Sequence, residues 1–150
     1  MAETQIDARG WIFHIEGETT DSWVAIDGIT EFSTDYSEGE EEAETTTFES
    51  NGHAESQPMQ RGASLELTFR EKRDPASGVL SAGQARLMAM ARLVGDDAMC
   101  RFRFRHATEQ QWELWTCWIG WGERGGELND KTESEVTVHR SGAPTYPGLN

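Results

Sequence analysis

Residues 37–64 contain almost nothing from which a hydrophobic core can be built. Between Tyr36 and Leu65 the only large apolar residues are Phe48 and Met59. Such a segment cannot bury enough apolar surface to offset the entropy that it loses on ordering. Loops of more than about 15 residues without structure of their own are uncommon in compact domains and are usually functional or disordered. We therefore predict that this segment is either disordered or ordered by a partner.

The charge of the chain narrows the choice of partner. The 150 residues include 27 aspartates and glutamates against 13 lysines and arginines, which gives a formal net charge of −14. Nucleic-acid binding requires clustered basic residues, so we expect no specific binding of DNA or RNA. An acidic surface that repels nucleic acid is compatible with this charge. The length fits one domain, which we predict over residues 1–150.

Two features bear on the compartment. The N-terminus lacks the basic and apolar regions of a secretion signal, and no run approaches the roughly 18 apolar residues of a membrane span. We expect a soluble protein without a secretion signal and without membrane contact. Cys100 and Cys117 are the only cysteines. They are predicted to be two small buried residues and not a disulfide framework.

The sequence offers no catalytic, metal or cofactor motif. The four histidines, His14, His53, His106 and His139, are scattered and have no partner at metal-ligand spacing. Nothing resembles a nucleophile elbow, a phosphate loop or a zinc-protease helix. The acidic run over residues 38–44 lacks the ligand alternation of a calcium loop. We predict no enzyme, no metal and no cofactor.

One short motif has the spacing of a nucleotide-binding loop. The segment GWGERG, residues 120–125, matches the dinucleotide pattern G-x-G-x-x-G letter for letter. That pattern binds a pyrophosphate only where its last glycine opens a helix, and the residues that follow carry no apolar helical period. We predict a flexible loop over residues 120–130 in its place.

The first strands follow from alternation of apolar and polar residues. Over residues 11–15, Trp11, Phe13 and Ile15 share one side. A second strand is predicted over residues 22–26. Asp27-Gly28 is a two-residue hairpin signal that leads into a third strand over residues 29–36. The first 36 residues thus predict a small antiparallel meander.

A half-buried strand and one helix follow the acidic segment. Leu65, Leu67 and Phe69 alternate with polar residues. A helix is predicted over residues 81–94, with Ser81 as its N-cap and Gly95 as its stop. Its apolar stripe and the adjacent methionines, which we interpret as packing residues, are Leu80, Gln84, Leu87, Met88, Met90, Ala91 and Val94.

The next predicted hairpin joins strands over residues 100–105 and 112–121. If Phe104 pairs with Trp112 and Phe102 with Leu114, the apolar faces coincide and Arg103 lies opposite Glu113. The other face then carries arginines beside tryptophans and is too apolar for a simple solvent face. It is covered either by cation–π contacts or by a neighbouring subunit. The candidate intersubunit residues are Arg101, Arg103, Arg105, Trp115, Ile119 and Trp121.

The chain closes with a strand over residues 134–140 and a flexible tail over residues 141–150. Several short strands and a single helix predict a mainly β protein, an antiparallel β-sandwich or barrel flanked by one α-helix.

The order and spacing of these features resemble those of a phage tail tube protein, the major tail protein of long-tailed phages. The shared parts are the early strands over residues 11–36, an acidic turn into Thr45-Thr46-Thr47-Phe48, and the approach Gln60-Arg61-Gly62 to the strand at residues 65–69. The single helix and the arginine- and tryptophan-rich hairpin follow in the same order. The resemblance covers most of the chain.

This resemblance implies a structural virion protein that assembles with itself. Family members form a β-sandwich flanked by a helix, build hexameric rings, and stack them into a tube through which DNA leaves the capsid. The implied partners are further copies of this chain and other tail proteins at the tube ends, while DNA passes without specific binding. The implied location is the phage tail, after synthesis in the bacterial host cytoplasm.

The resemblance also assigns a role to the acidic segment. The long loop of the family reaches the next ring and corresponds here to residues 38–62, within a loop of about residues 37–63. The implied inter-ring residues are Glu40, Glu41, Glu42, Glu44, Thr45, Thr46, Thr47, Phe48 and Arg61. Six subunits of −14 carry 6 × (−14) = −84 charges, and a lumen lined with part of this repels phosphates. Glu66 and Glu113 are candidate lumen residues.

Two other functions remain open from the sequence. The chain is alternatively a related ring-forming protein, such as a secretion-system tube subunit or a tail-completion component, because a fold does not determine function. A third reading is a small-ligand β-barrel whose six tryptophans line a pocket.

Overall fold

The computed structural model describes residues 3–149. Nine strands and one α-helix occur in this part of the chain, in an order that places six strands before the helix and three after it. Their bounds are β1 Trp11–Glu16, β2 Trp23–Ala25, β3 Ile29–Asp35, β4 Glu41–Glu44, β5 Ser56–Gln60, β6 Ser64–Arg70, α1 Ala82–Ala91, β7 Cys100–His106, β8 Glu113–Gly125 and β9 Glu133–Arg140.

Seven of the strands form one antiparallel sheet, in the order β2-β1-β7-β8-β9-β6-β3. Strands β4 and β5 pair only with each other and form a separate two-stranded ribbon. The prediction of a mainly β, antiparallel protein with one helix is confirmed.

The large sheet curls so that strands near its two edges meet. The ring of Phe32 on β3 lies 5.4 Å from that of Trp11 and 5.2 Å from that of Phe13, both on β1. The enclosed core takes alternate residues from five neighbouring strands, as the period of a strand requires. These residues include Phe13, Ile15, Leu65, Leu67, Phe69, Phe102, Phe104, Trp115, Cys117, Val136 and Val138. The alternation predicted for β1 and β6 is confirmed.

The predicted meander of the first 36 residues is wrong. Strand β2 pairs with β1 at one edge, whereas β3 crosses to the other edge and pairs with β6. The chain still turns at Gly28, whose φ of 79° is a value that favours glycine. Arg70 N–H donates to Gly28 O at 2.9 Å, so the backbone after this turn is held by β6 and not by β2.

A buried glutamine fixes this crossover. Gln84 on α1 is fully buried, and its amide nitrogen donates to Asp27 O and Arg70 O at 2.9 and 2.8 Å. Its amide oxygen accepts from Lys72 N–H at 2.8 Å. One side chain therefore ties the helix to the turn and to the end of β6.

The helix is shorter than predicted. It ends at Ala91 and not at residue 94, and Val94 is exposed and extended. Ser81 occupies the N-cap position, but its hydroxyl donates to Asp27 Oδ1 at 2.8 Å. Met88 and Met90 pack in the core, which confirms that they are packing residues.

The register of the β7–β8 hairpin differs by one residue from the prediction. Phe104 pairs with Glu113, Phe102 pairs with Trp115, and Cys100 pairs with Cys117. A shift of one residue exchanges the two faces of a strand. Trp115, Cys117 and Ile119 therefore face the core, while Arg103 lies opposite Leu114 and not Glu113. Both cysteines are buried and free, as predicted.

The last segments are more regular than predicted. Strand β8 runs on through residues 120–125, with a bulge between Trp121 and Arg124, so the GWGERG motif lies in a strand. The predicted loop over residues 120–130 is wrong in its first half, and the rejection of a dinucleotide helix is confirmed. The tail after β9 pairs with the start of β8: Leu114 and Thr145 exchange backbone hydrogen bonds of 2.8 and 2.9 Å.

Candidate functional site

The acidic segment folds into the β4–β5 ribbon. Its ladder pairs Glu42 with Pro58, Ala43 with Gln57, and Glu44 with Ser56. The expectation that this segment has no structure of its own is wrong, because β4 and β5 pair with each other. The expectation that it forms no core agrees with the exposure of all five residues of β5 and of three of the four residues of β4.

The tip of the ribbon is a compact turn that presents one aromatic ring. Thr47 and Ser50 form a reciprocal capping box around a short 3-10 turn, and Asn51 adopts the left-handed conformation with φ of 54°. Thr46 Oγ1 accepts from Glu55 N–H at 2.9 Å. Phe48 is fully exposed at this tip.

The base of the ribbon is held by polar contacts. Arg61 pairs with Glu40 at 3.2 Å, and the Gln60 side-chain amide donates to Gly39 O at 2.7 Å. Glu38 lies 3.4 Å from His139 Nδ1 on β9. The structure thus gathers all nine predicted inter-ring residues on one projecting element, Glu40 and Arg61 at its base and Thr45 to Phe48 towards its tip.

The three arginines of β7 line the outer face of the sheet against tryptophans. The guanidinium of Arg103 lies between Trp23 and Trp112, 4.5 and 4.0 Å from the ring centroids. Arg105 lies 4.9 Å from the Trp112 ring, and Arg101 lies 5.4 Å from the Trp23 ring. Cation–π contacts therefore cover part of this face. This agrees with the first of the two predicted alternatives, cover by cation–π contacts or by a neighbouring subunit.

The charges on this face are balanced unevenly. Arg101 forms ion pairs with Glu16 and Asp21, and their hydrogen bonds raise the pKa of its guanidinium. Arg103 has no ion pair with any residue of the described range and instead donates to His14 Nδ1 at 3.2 Å. Burial and the nearby Arg105 lower the pKa of Arg103. Burial, followed by Arg103 and Arg105, lowers the pKa of His14 and favours its neutral form.

Two of the predicted intersubunit residues are wrong. Trp115 is fully buried and Ile119 is 4% exposed, both in the core of their own chain, because the register places them opposite the prediction. Neither offers its side chain to a neighbour. Trp121 is 41% exposed, near the end of α1, and remains a candidate.

Sequence reasoning missed three members of the arginine face. Trp23 and His14 come from β2 and β1, and Trp112 precedes β8. Alternation along a strand places Trp112 on the same side as Leu114, and Leu114 faces outward in the observed register. Trp112 could therefore have been assigned to this face once the register was known. The other two reach the arginines through the long-range pairing of β1 with β7, and no local pattern reports that pairing.

The six tryptophans, all within the described residues, do not line one shared pocket. Trp115 lies in the core, Trp23 and Trp112 contact arginines, and Trp118 stacks on His139 at 4.0 Å. A separate cleft of about 540 Å³ is lined by charged residues such as Arg70, Lys131 and Glu133.

Within residues 3–149, no three His, Cys, Asp or Glu side chains are grouped closely enough to hold a metal ion. No helix in that range is long and apolar enough to span a membrane.

Sequence comparison finds no match: neither a protein-family model nor a curated protein matches the chain. Structural comparison does find similar proteins. The chain is similar to a protein in the tail of an empty gene transfer agent particle refined with C6 symmetry, with a TM-score of 0.72, 14% identity, and coverage of 96% of this chain and 100% of that one.

Two further structures have related folds. A subunit of the SPP1 tail tube has a TM-score of 0.71 and 16% identity, with coverage of 96% of this chain and 80% of that one. A chain in the sheath–tube complex of the PVC extracellular contractile injection system has a TM-score of 0.60 and 12% identity, with coverage of 98% and 94%. These likenesses show that the chain has the fold of tail tube proteins.

Proposed function

We propose that this chain is a tail tube subunit, a structural protein that assembles with itself into hexameric rings stacked as a tube. Its place is the tail of a phage or phage-like particle, and its partners are further copies and the tail proteins at the tube ends. The shared fold supports the tube role, and the C6 symmetry of one similar tail supports six subunits per ring.

The observation that carries this proposal is the projecting ribbon. Two-stranded hairpins are marginally stable alone in water, and this one buries almost no apolar surface. A ladder of backbone pairs orders it, yet its side chains contact little of their own chain. Such an arm gains its stability from a neighbouring copy, and we assign it to the contact between successive rings.

Contacts within a ring involve the open sides of the sheet. Strands β2 and β3 are its two edges, and unpaired edges readily pair with another chain. Pairing of sheets around the ring closes them into a barrel and removes these edges. Among the predicted hairpin residues, Arg101, Arg103 and Arg105 are retained for this lateral contact, because they alternate with the buried residues of β7 and lie on the other face of the sheet. Trp121 lies beside the end of α1 and is not assigned to this contact.

The tube interior repels DNA in this proposal. Outward-facing carboxylates occur on three neighbouring strands, at Glu31 on β3, Glu66 on β6 and Glu135 on β9. Glu113 is a weaker lumen candidate than Glu66, since it accepts hydrogen bonds from Tyr36 and Trp115 at 3.0 and 2.8 Å. Six chains of −14 keep such a wall negative, and screening restricts the repulsion to about 8 Å at physiological salt.

Electron microscopy of the purified protein tests this function. Concentrated protein is expected to form rings or tubes with six-fold symmetry in negative stain, either spontaneously or after seeding with sonicated tubes. Protein that stays monomeric by sedimentation velocity under all these conditions, and that shows no rings, contradicts the proposal.

A second candidate function is the tube of an injection system, favoured by the fold shared with the PVC sheath–tube complex. The two differ in cargo and in surrounding proteins. Mass spectrometry of particles that contain this chain, together with their nucleic-acid content, distinguishes them: DNA-filled particles with many copies support a tail tube, and DNA-free particles with a sheath support an injection system.

A further inference from the structure

An apolar groove lies open at the end of α1. It measures about 460 Å³ and runs between the residues that follow the helix and the middle of β8. Leu93, Val94, Trp118 and Trp121 line it and are 44%, 85%, 42% and 41% exposed. The groove exists because the helix ends at Ala91, which leaves the next apolar residues unburied.

Basic side chains flank this groove. Arg92 and Arg124 line the adjoining hollow, which also contacts Trp121. Arg124 is paired with Glu71 at 3.0 Å, whereas Arg92 forms no ion pair with any residue in the described range. An occupant with an apolar centre and negative flanks fits such a site.

The ribbon tip has the complementary composition. Phe48 is the only large apolar side chain of the tip, and its ring is fully exposed. Glu44 and Glu49 lie on either side of it in the sequence, and residues 38–60 contain no lysine or arginine. The capping box of Thr47 and Ser50 holds the turn in shape before any contact forms, which lowers the entropy cost of binding.

The occupant is another copy and not the same chain. Glu38 at the ribbon base contacts His139, and His139 stacks on Trp118 at the groove. The base of the arm thus adjoins the groove of its own chain, while the eight residue steps from Glu40 to Phe48, if extended, carry the tip up to about 25 Å away. The tip and the groove are two different surfaces of the chain, so a contact between them is head-to-tail. Where such a contact does not close into a ring, it repeats from copy to copy and builds a filament.

We propose that Phe48 of one copy inserts into the groove formed by Leu93, Val94, Trp118 and Trp121 of a copy in the adjoining ring. Glu49 then approaches Arg92. This inference rests on the proposed tube function and names the receiving surface of the ribbon.

Tube growth measured by light scattering and microscopy tests this contact. Burying a phenylalanine stabilises a contact enough that Phe48→Ala is expected to raise the critical concentration about 10- to 100-fold. Val94→Glu is expected to do the same from the groove side. Both positions are exposed, so circular dichroism is expected to show folded chains. The control Leu128→Ala, at a residue 99% exposed outside the groove, is expected to polymerise like the wild type.

Charge reversal and cross-linking identify the pair directly. Arg92→Glu and Glu49→Arg are each expected to weaken growth, and the double variant is expected to restore it. Above its raised critical concentration, a Phe48→Cys, Val94→Cys variant is expected to form tubes in which a short bismaleimide links chains into a ladder, whereas Phe48→Cys with Leu128→Cys gives none. Normal growth of Phe48→Ala with no ladder overturns the contact but leaves the tube function intact. Absence of wild-type tubes overturns both.

Discussion

Arg103 shows how the chain accommodates a partly buried charge without a carboxylate. Its guanidinium is held between the faces of Trp23 and Trp112, and it donates to His14 Nδ1. Arg103 has no carboxylate partner within the described residues, although the chain contains 27 aspartates and glutamates. A protonated His14 would place two positive groups 3.2 Å apart and would lose its acceptor nitrogen.

This arrangement predicts a pH dependence of stability. The pKa of His14 is lowered below its ordinary 6.5, chiefly by burial and then by Arg103 and Arg105. The unfolded chain therefore binds the proton more readily, so this contribution is present above pH 6.5 and is lost as the pH falls below it. His14→Gln keeps an acceptor and removes the proton site.

Urea unfolding at about pH 7.5 and about pH 5.5 measures the effect, because a pKa that differs between the folded and the unfolded chain makes the free energy of unfolding depend on pH. Wild-type protein is expected to lose more of its free energy of unfolding between these pH values than His14→Gln does. The other three histidines are unchanged between the two proteins, so the difference between the two losses isolates His14. Equal losses contradict the assignment.

At the level of elements, β8 is the strand whose faces are hardest to tell apart. Trp115, Cys117 and Ile119 form one apolar row, and Leu114, Trp118 and Trp112 supply large apolar groups to the other side. Either register of the β7–β8 hairpin buries an apolar face. The observed register is selected by long-range neighbours: Trp115 packs edge-to-face on Phe104 at 5.2 Å, and β9 pairs with β8 from the other side.

A pair of tryptophan substitutions tests this register. Trp115→Ala is expected to lower the free energy of unfolding by about 3–5 kcal/mol, because it empties a fully buried site. Trp118→Ala, at a half-exposed site stacked on His139, is expected to cost less than about 1 kcal/mol, as substitutions outside the core usually do. Urea unfolding followed by circular dichroism compares them. A larger loss for Trp118→Ala would mean that the faces are reversed.

Sequence patterns predicted the elements whose two faces differ. Strands β1 and β6 alternate clearly, and Ser81 marks the helix start, so their positions agree with the structure. The Asp27-Gly28 turn was recognised, but a turn signal does not state which strand the chain joins next, and Gln84 decides that from a distance of 57 residues. The ribbon was missed because its ladder depends on backbone groups and carries no apolar period.

At the scale of the site, the residues of the acidic segment were predicted, whereas their folding into a two-stranded ribbon was not. The acidic run and the exposed Phe48 are visible in one line of sequence, whereas the groove requires α1, β8 and the extended residues after the helix to come together. Trp118 and Leu93 are 25 positions apart in the chain, since 118 − 93 = 25. Local sequence patterns contain no information on this long-range juxtaposition of Leu93 and Trp118 in one groove.

For the whole molecule, the structure predicts that the ribbon can be removed without loss of the fold. Strands β3 and β6 are antiparallel neighbours that flank it, so an Asn-Gly turn in place of residues 40–61 can join them. The shortened chain is expected to keep its melting temperature within about 4 °C, a shift that corresponds to less than about 1 kcal/mol. It is expected to form no tubes.

Differential scanning calorimetry and negative-stain microscopy check both halves of this prediction. A chain in which residues 40–61 are replaced by a Gly/Ser segment of equal length serves as control and is expected to behave in the same way, since it lacks the ladder and the tip. Tubes formed by the shortened chain would show that the ribbon is not the stacking element.

The topology of the sheet also orders events during synthesis. Phe13 on β1 pairs with Phe104 on β7, a separation of 104 − 13 = 91 residues, so the first strand has its ladder partner on one side only when most of the chain exists. Translation adds roughly 5–20 residues per second, which leaves β1 waiting for several seconds. Both strands of the ribbon lie within residues 41–60 and are synthesised early in this interval, whereas the groove needs Trp118 and Trp121. On a nascent chain the residues of the ribbon are therefore complete before those of the groove.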